Sequence, residues 1–200
     1  VFIAQVQCRE MMRILVKLGS RVPLHASGVG KAIFAALADE QIDAILKVKG
    51  LPRITTNTIT SPETMWAALR VIRQRGFSFD DAEHLVGTRC VASPIYDEHA
   101  ECLGAISIAG PISRLPDARI RQLGPVVAHT AEEMHAMAVA DIDAVAGWLG
   151  DQSFLMGAGP TKADATVHAF VCNFLAAPFT TPLKDATKRH ANLVAYNERM

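Results

Sequence analysis

Near Thr130 the pattern of the sequence changes, and no single repeating layout can accommodate both sides of that point. Before it, runs of β-branched and aromatic residues alternate with helical stripes and glycine-flanked turns, which indicates a mixed α/β unit. After it, apolar residues recur at helical spacing only, separated by caps and loops. A chain of 200 residues is long enough for two small domains. The expectation is therefore an α+β unit followed by an all-α segment.

Half of the residues are hydrophobic, enough for an ordinary globular core. The 20 basic and 20 acidic residues cancel. A nucleic-acid-binding surface normally carries a basic surplus against the phosphates, so direct DNA or RNA binding by this chain is not expected. Cys8, Cys90, Cys102 and Cys172 are scattered without a CxxC pair, and the seven histidines show no ligand spacing. Neither a metal nor a disulfide framework follows. No signal-peptide pattern stands near Val1, and the apolar run from Ala165 to Ala177 is interrupted by His168 and Asn173. It is too short to cross a bilayer core of about 30 Å. These features point to a soluble, cytoplasmic protein with reduced thiols and no cofactor.

Strands are expected at Val1–Val6 and about Arg13–Leu18, the second ending at Gly19-Ser20. A chain that opens inside a strand suggests that further residues once preceded it. A helix follows from about Lys31, with Ile33, Phe34 and Leu37 on its buried side. Asp39 is placed to cap the next helix, which carries Ile42, Ile45 and Leu46 and stops at Gly50. Thr60 and Glu63 form a capping-box pattern ahead of Met65, Leu69 and Ile72, with Gly76 as the stop. Val91–Tyr96 and Cys102–Ile108 are expected to pair as a hairpin. The helix from about Pro116 should kink or split at Gly124-Pro125.

In the second region Ile142, Val145, Ala146 and Leu149 make a stripe that ends at Gly150. Thr161 and Asp164 resemble a capping box, with Asp in place of the usual Glu or Gln. The helix they open is apolar on nearly every side, through Phe170, Val171 and Phe174, and should end at Pro178. Pro182 starts a short helix, and Asn192 is placed to cap the last one. Lys184, Lys188, Arg189 and His190 coincide with a helix end, where cations complement the dipole.

The best candidate site runs from Ser27 into the first helix. Ser27-Gly28-Val29-Gly30 sets small residues where backbone amides are free at a helix N-terminus, an arrangement that favours an anion, although a plain tight turn would use the same residues. A P-loop is excluded, because His25 stands at its first glycine and Ala32 at its hydroxyl position. Ile33 occupies the third small position of a dinucleotide motif, so neither ATP nor NAD is expected. No triad pattern accompanies Cys90, whose nearest base in sequence is His84. No catalytic residue is assigned.

Pro23-Leu24-His25-Ala26-Ser27-Gly28-Val29-Gly30-Lys31-Ala32, Phe79-Asp80-Asp81-Ala82-Glu83-His84, Gly87–Ile95 and Ala105–Pro111 resemble the effector-binding domain of IclR-family transcriptional regulators. The match runs in order from Val1 to about Val127, giving a domain over about residues 1–128. The resemblance implies a curved antiparallel sheet with flanking helices, related to GAF and profilin folds. It also implies a homo-oligomer, a small organic acid as effector, and DNA reading by a winged-helix domain that lies N-terminal in the family and is absent from these 200 residues. The implied pocket is Gly28, Val29, Asp80, Cys90 and Ser107. Amides at Gly28 and Val29 suit a carboxylate, Ser107 an oxo or hydroxyl group, and Cys90 a weakly polar wall. Asp80 would repel an anion, so it is expected to accept from a ligand hydroxyl, a water or a pocket amide. Many relatives carry a second serine where this chain has Ala109, so their effectors do not transfer to it.

Ala140–Asp143, Leu149–Asp151, Phe154–Gly157, Thr161–Thr166, Pro178-Phe179 and Asn192–Tyr196 resemble instead the later helices of the C-terminal domain of glutathione S-transferase family proteins, over about residues 129–200. The thioredoxin-like half that binds glutathione has no counterpart here, so transferase activity is not expected. The junction falls between about Val127 and Ala138. Deprived of its usual cover, the helix after Lys162 should leave Phe170, Val171 or Phe174 partly exposed, and the second region should be the less stable.

Overall fold

The computed structural model describes residues 1–11, 13–97, 100–176 and 182–200. It divides into two compact units, Val1–Tyr96 with Glu101–Glu132, and Glu133–Met200 with Asp97–Ala100. The first is α+β and the second is built of helices.

In the first unit, α1 (Gly28–Ala36), α2 (Asp39–Lys49) and α3 (Pro62–Arg75) precede a three-stranded antiparallel sheet of β1 (Ser78–Asp81), β2 (Thr88–Tyr96) and β3 (Cys102–Pro111), in the order β1-β2-β3. The helical stripes form as their spacing requires. Ile42 from α2 joins Met65, Leu69 and Ile72 from α3 and Phe34 and Ala35 from α1 in one buried cluster. Gly76 ends α3 in the left-handed region at φ +80°, a conformation suited to glycine. The cap of α3 is Ser61, which accepts from the Thr64 amide at 3.2 Å, so the expected Thr60–Glu63 box is displaced by one residue. Asp39 does not cap α2. It is the first helical residue, and the Gln41 side chain accepts from the Ala38 amide instead.

The hairpin of β2 and β3 pairs from Thr88↔Pro111 to Tyr96↔Cys102. β1 was not foreseen. It forms because Ser78–Asp81 pairs along the other edge of β2. The two strands expected at Val1–Val6 and Arg13–Leu18 are not formed. Among the described residues the Phe2–Ser20 and Gly19–Phe2 backbone bonds join the two segments, and the Gln5 side chain occupies the Ile14 carbonyl and the Val16 amide, where a ladder would continue. Val1, Ile3, Val6 and Leu15 are exposed there, so burial gives the pair no support.

α4 runs from Asp117 to Leu149 without a break at Gly124-Pro125. Gly124 is needed for close approach rather than for a bend: a Cβ at this position would lie 2.3–2.6 Å from the Phe77 ring. In the second unit Ile142, Ala146 and Leu149 of α4 pack with Leu155, Ala186, Leu193 and Tyr196, which brings together α4, α6 (Pro182–Arg189) and α7 (Ala191–Arg199). α5 (Lys162–Ala176) buries Val171 and packs Val167 and Phe174 against this cluster, but leaves Phe170 63% exposed. The expected stop at Pro178 lies outside the described residues. Asn192 does not cap α7, which starts after His190. Its side-chain amide donates instead to Ala146 O and Gly150 O, satisfying carbonyls at the end of α4. No described helix is long and apolar enough to cross a membrane.

Candidate functional site

Strand alternation places Ser78 and Asp80 of β1, Cys90 and Ala92 of β2, and Ser107 and Ala109 of β3 on one sheet face, and the N-terminus of α1 lies over it. Ser27 caps α1 by accepting from the Gly30 amide at 3.1 Å, while its own hydroxyl donates to Pro23 O at 2.7 Å. Ser78 fastens the helix start to the sheet through a bond from Oγ to Gly28 O at 2.7 Å. Gly28 has to be glycine: a Cβ there would stand 2.6 Å from Cys90 Sγ. The Gly28 and Val29 amides belong to the first turn, which has no carbonyl partner within the helix.

Gly28, Val29, Cys90 and Ser107 therefore meet at one place. The Ser107 hydroxyl and the Val29 amide both interact with the Cys90 sulfur. Burial, reinforced by the Asp80 charge, pushes the Cys90 thiol up to about 12, and Ser107, Lys31 and Val29 only partly offset it. At neutral pH this is a protonated thiol, which fits a pocket wall and not a nucleophile. Burial also pushes His84 down, which keeps it neutral. Val29, Cys90 and Ser107 are half-buried and Ala109 is exposed, so the site is an open-sided floor. Two cavities in the same unit, of about 290 and about 360 Å³, are lined by other residues.

Asp80 is buried and accepts from the Glu83 amide at 2.7 Å, so its contact is with a loop amide. Burial raises its pKa against the Glu83 amide, the Lys31 charge and the His84 amide. Sequence reasoning left Lys31 and Glu83 without a role, although both stand inside the quoted motifs. They form a buried ion pair between Nζ and Oε1, and Lys31 Nζ also donates to Phe79 O at 2.5 Å. Burial pushes Glu83 up, with Lys31 acting against it. The loop carrying Glu83 is fixed from below: Thr55 Oγ1 donates to Ala82 O and Thr58 Oγ1 to Glu83 O, both at 2.8 Å. Ala82 has a positive φ of 56°, a conformation that a non-glycine residue keeps only when its surroundings impose it. On the opposite sheet face Arg89 bridges Asp81 at 2.6 Å and Asp117 at 2.8 Å. Among the described residues no cluster of His, Cys, Asp and Glu could hold a metal.

A three-stranded sheet with a helix N-terminus directed at its inner face defines a class already seen in solved transcriptional regulators. The chain superposes on the IclR protein of Thermotoga maritima with a TM-score of 0.61 and 29% identity, covering 64% of this chain and 52% of that one. It superposes on the inducer-binding domain of the PobR transcription factor from Acinetobacter, solved as a double mutant with 3-hydroxybenzoic acid, with a TM-score of 0.56 and 29% identity, covering 60% and 69%. Residues 1–136 match the family described as bacterial transcriptional regulator IclR C-terminal, and the chain belongs to that family. Over 134 residues it is 47% identical to the acetate operon repressor of Salmonella typhimurium and 46% identical to the transcriptional repressor IclR of Escherichia coli, in each case 67% of this chain and 49% of the relative. The chain spans about half the length of these curated relatives. Residues 138–200 match a second family, the glutathione S-transferase C-terminal domain. The two matches meet inside α4.

Proposed function

We propose that the first unit senses a small carboxylic or oxo acid on behalf of an IclR-type regulator. The observation that carries this reading is the meeting of the α1 N-terminus with Cys90 and Ser107. The ligand carboxylate sits at the Gly28 and Val29 amides, which have no carbonyl partner within the helix, and there the helix dipole favours negative charge; the Val29 amide exchanges its contact with the weakly accepting Cys90 sulfur for the carboxylate. Ser107 binds the neighbouring oxo or hydroxyl group, Cys90 forms the wall, and Asp80 holds the Glu83 loop without touching the ligand. The buried Lys31 charge, one turn into α1, is paired with Glu83 and also faces Asp80, so it lessens the negative charge beneath the floor. DNA reading belongs to other residues of the regulator, and signalling operates in a homo-oligomer. The helical unit after α4 is a non-catalytic attachment. A glutathione transferase-like reading of the whole chain has less support, because its family match covers only residues 138–200.

A thermal-shift screen of small carboxylates and their uncharged methyl esters tests this reading, since a ligand bound only by the folded state raises stability. An active acid should raise the melting temperature and its ester should not. Ser107→Ala should weaken binding roughly tenfold without unfolding the protein, the cost of one hydrogen bond to a charged or strongly polar group. Equal shifts from acid and ester, or an unchanged affinity in Ser107→Ala, would remove the site from consideration.

A further inference from the structure

The floor that favours an anion stands beside buried charge of the same sign. Asp80, Glu83 and Lys31 are all buried. Asp80 is paired in register with Cys90, and the Asp80 and Lys31 charges both act on the Cys90 sulfur. Lys31 acts in turn on both carboxylates, and Asp80 acts on Glu83. The three groups and the floor are therefore one electrostatic cluster, and in their ionised forms the three carry one negative charge in excess. The neighbouring groups do not remove it. Asp81, which also acts on Asp80, is bridged to Arg89. Arg75 of α3 lines a cavity with Glu83, but it is held at Phe77 by an Nε bond to the carbonyl at 2.6 Å and by the ring at 4.5 Å. Burial keeps His84 neutral and Cys90 protonated. A carboxylate arriving at Gly28 and Val29 thus meets repulsion in a setting with little water to screen it.

A proton on either carboxylate relieves that repulsion, and hydrogen bonding decides which one receives it. Asp80 accepts from the Glu83 and His84 amides, which hold it ionised. Glu83 gives Oε1 to Lys31, while its Oε2 is buried without a partner among the described groups. A proton on Oε2 displaces no donor and leaves Lys31 on Oε1. It also replaces a bare anionic oxygen by a neutral hydroxyl, whose burial costs less. We infer that the effector is taken up together with a proton, which goes to Glu83 Oε2, so that one floor responds both to the acid and to acidity. This coupling rests on the effector reading of the floor. A bound anion favours neutral Glu83, so the complex keeps its proton to higher pH than the free protein does. Binding is tightest at low pH and weakens as the pH rises between the free and bound titrations, by at most about tenfold per pH unit for one proton. Above that interval the affinity levels off.

Two measurements on the full chain test the coupling, with pyruvate as the probe because it stays ionised above about pH 4. Carboxyl-carbon NMR gives the titration midpoint of the Glu83 side chain in the free protein, with pyruvate bound, and in Ser107→Asp. That variant fixes a carboxylate on the floor without any ligand. Pyruvate and Ser107→Asp should each raise the midpoint by about one pH unit, as a nearby like charge does. Calorimetric titration from about pH 5 to about pH 8 should show the pyruvate affinity falling severalfold. Glu83→Gln, neutral at every pH, should abolish that dependence and bind severalfold more tightly at the alkaline end, a gain that a damaged fold would not produce. Pyruvate binding with an affinity flat in pH, or with an unmoved Glu83 midpoint, overturns the coupling and leaves the floor standing. A pH dependence retained in Glu83→Gln overturns Glu83 as the proton's site. A midpoint that responds to Ser107→Asp in a protein that binds no pyruvate supports the coupling and removes the floor as an oxo-acid site, so the two readings fail separately.

Discussion

Both units bury carboxylates, and they treat them in opposite ways. In the helical unit Asp164 is fully buried and saturated with donors: the Leu155 amide at 2.7 Å, the Thr161 amide and hydroxyl at 2.8 Å each, and the Tyr196 hydroxyl at 3.2 Å. Burial pushes this carboxyl up, but those donors outweigh it and hold it below the usual range. In the α+β unit Asp80 and Glu83 are also buried, yet burial prevails and both are raised. Glu83 Oε2 has no partner among the described groups. A saturated carboxylate is a structural pin. Asp80 is held by the Glu83 and His84 amides, whereas Glu83 keeps one oxygen unpartnered among the described groups, so the second cluster is the less completely satisfied.

The sharpest way to break this contrast is Asp164→Ala. It removes at one stroke the acceptor for two amides and two hydroxyls, and the Leu155 and Tyr196 groups belong to the core of the second unit. The expected outcome is loss of cooperative folding of residues 133–200, with the first unit unchanged. Amide hydrogen exchange resolves the two, and retained protection around Leu193 and Tyr196 would show that Asp164 is not the pin.

Next in size is Lys31→Met. It leaves Glu83 a buried, unpaired acid, for which about 3–5 kcal/mol is the usual cost. Adding Glu83→Gln should recover much of that loss, and a double-mutant cycle in urea measures the coupling. An uncoupled pair would mean that Lys31 is retained for its Phe79 contact alone.

These two clusters also mark the limit of what the sequence discloses. The Met65–Leu69–Ile72 stripe, the Ser27 cap and the Gly76 stop depend on neighbours within a turn or two, so composition and spacing reveal them. Lys31 and Glu83 lie 52 residues apart, and a lysine one turn into a helix normally suggests a solvated face. β1 escaped notice because Ser-Phe-Asp-Asp has little strand propensity of its own and is held by its partner. The reverse error occurred at Val1–Val6, where propensity was present and partners were lacking. Asn192 was legible as a cap, but only tertiary structure shows that the capped helix is α4. In the site, the structure brings Gly28, Val29, Cys90 and Ser107 together and turns Asp80 to the Glu83 amide, and the open side depends on packing that no motif encodes.

The two units should also respond to pH with opposite sign. Asp80 and Glu83 are raised on folding, so their contribution is fully present below about pH 4 and is lost as pH rises through their folded values. Asp164 is lowered, so its contribution is present above about pH 4 and is lost as pH falls through its folded value. The chain has two tryptophans, Trp66 in the first unit and Trp148 in the second, so Trp→Phe variants give each unit its own fluorescence report. Acidification toward pH 4 should raise the Trp66 midpoint in urea relative to the Trp148 midpoint. Parallel curves would mean that the carboxylates do not differ as their surroundings indicate.

The smallest expected effect is that of Asn192→Ala. Its amide serves two carbonyls at the end of α4, at 2.8 and 3.0 Å, where the helix has turned at Gly150 with φ +49°. The bonds are neutral and the residue is only half-buried, so water can replace part of what is lost. A loss of about 1 kcal/mol is expected, which for a unit of this size is a fall of about 4–8 °C in melting temperature. It should be confined to the Trp148 signal. Because α4 spans the boundary between the units, this modest variant asks how far stability is shared along it. If Trp66 reports the same fall as Trp148, the two units melt together, and the separate accounts of their carboxylates must be merged into one cooperative transition.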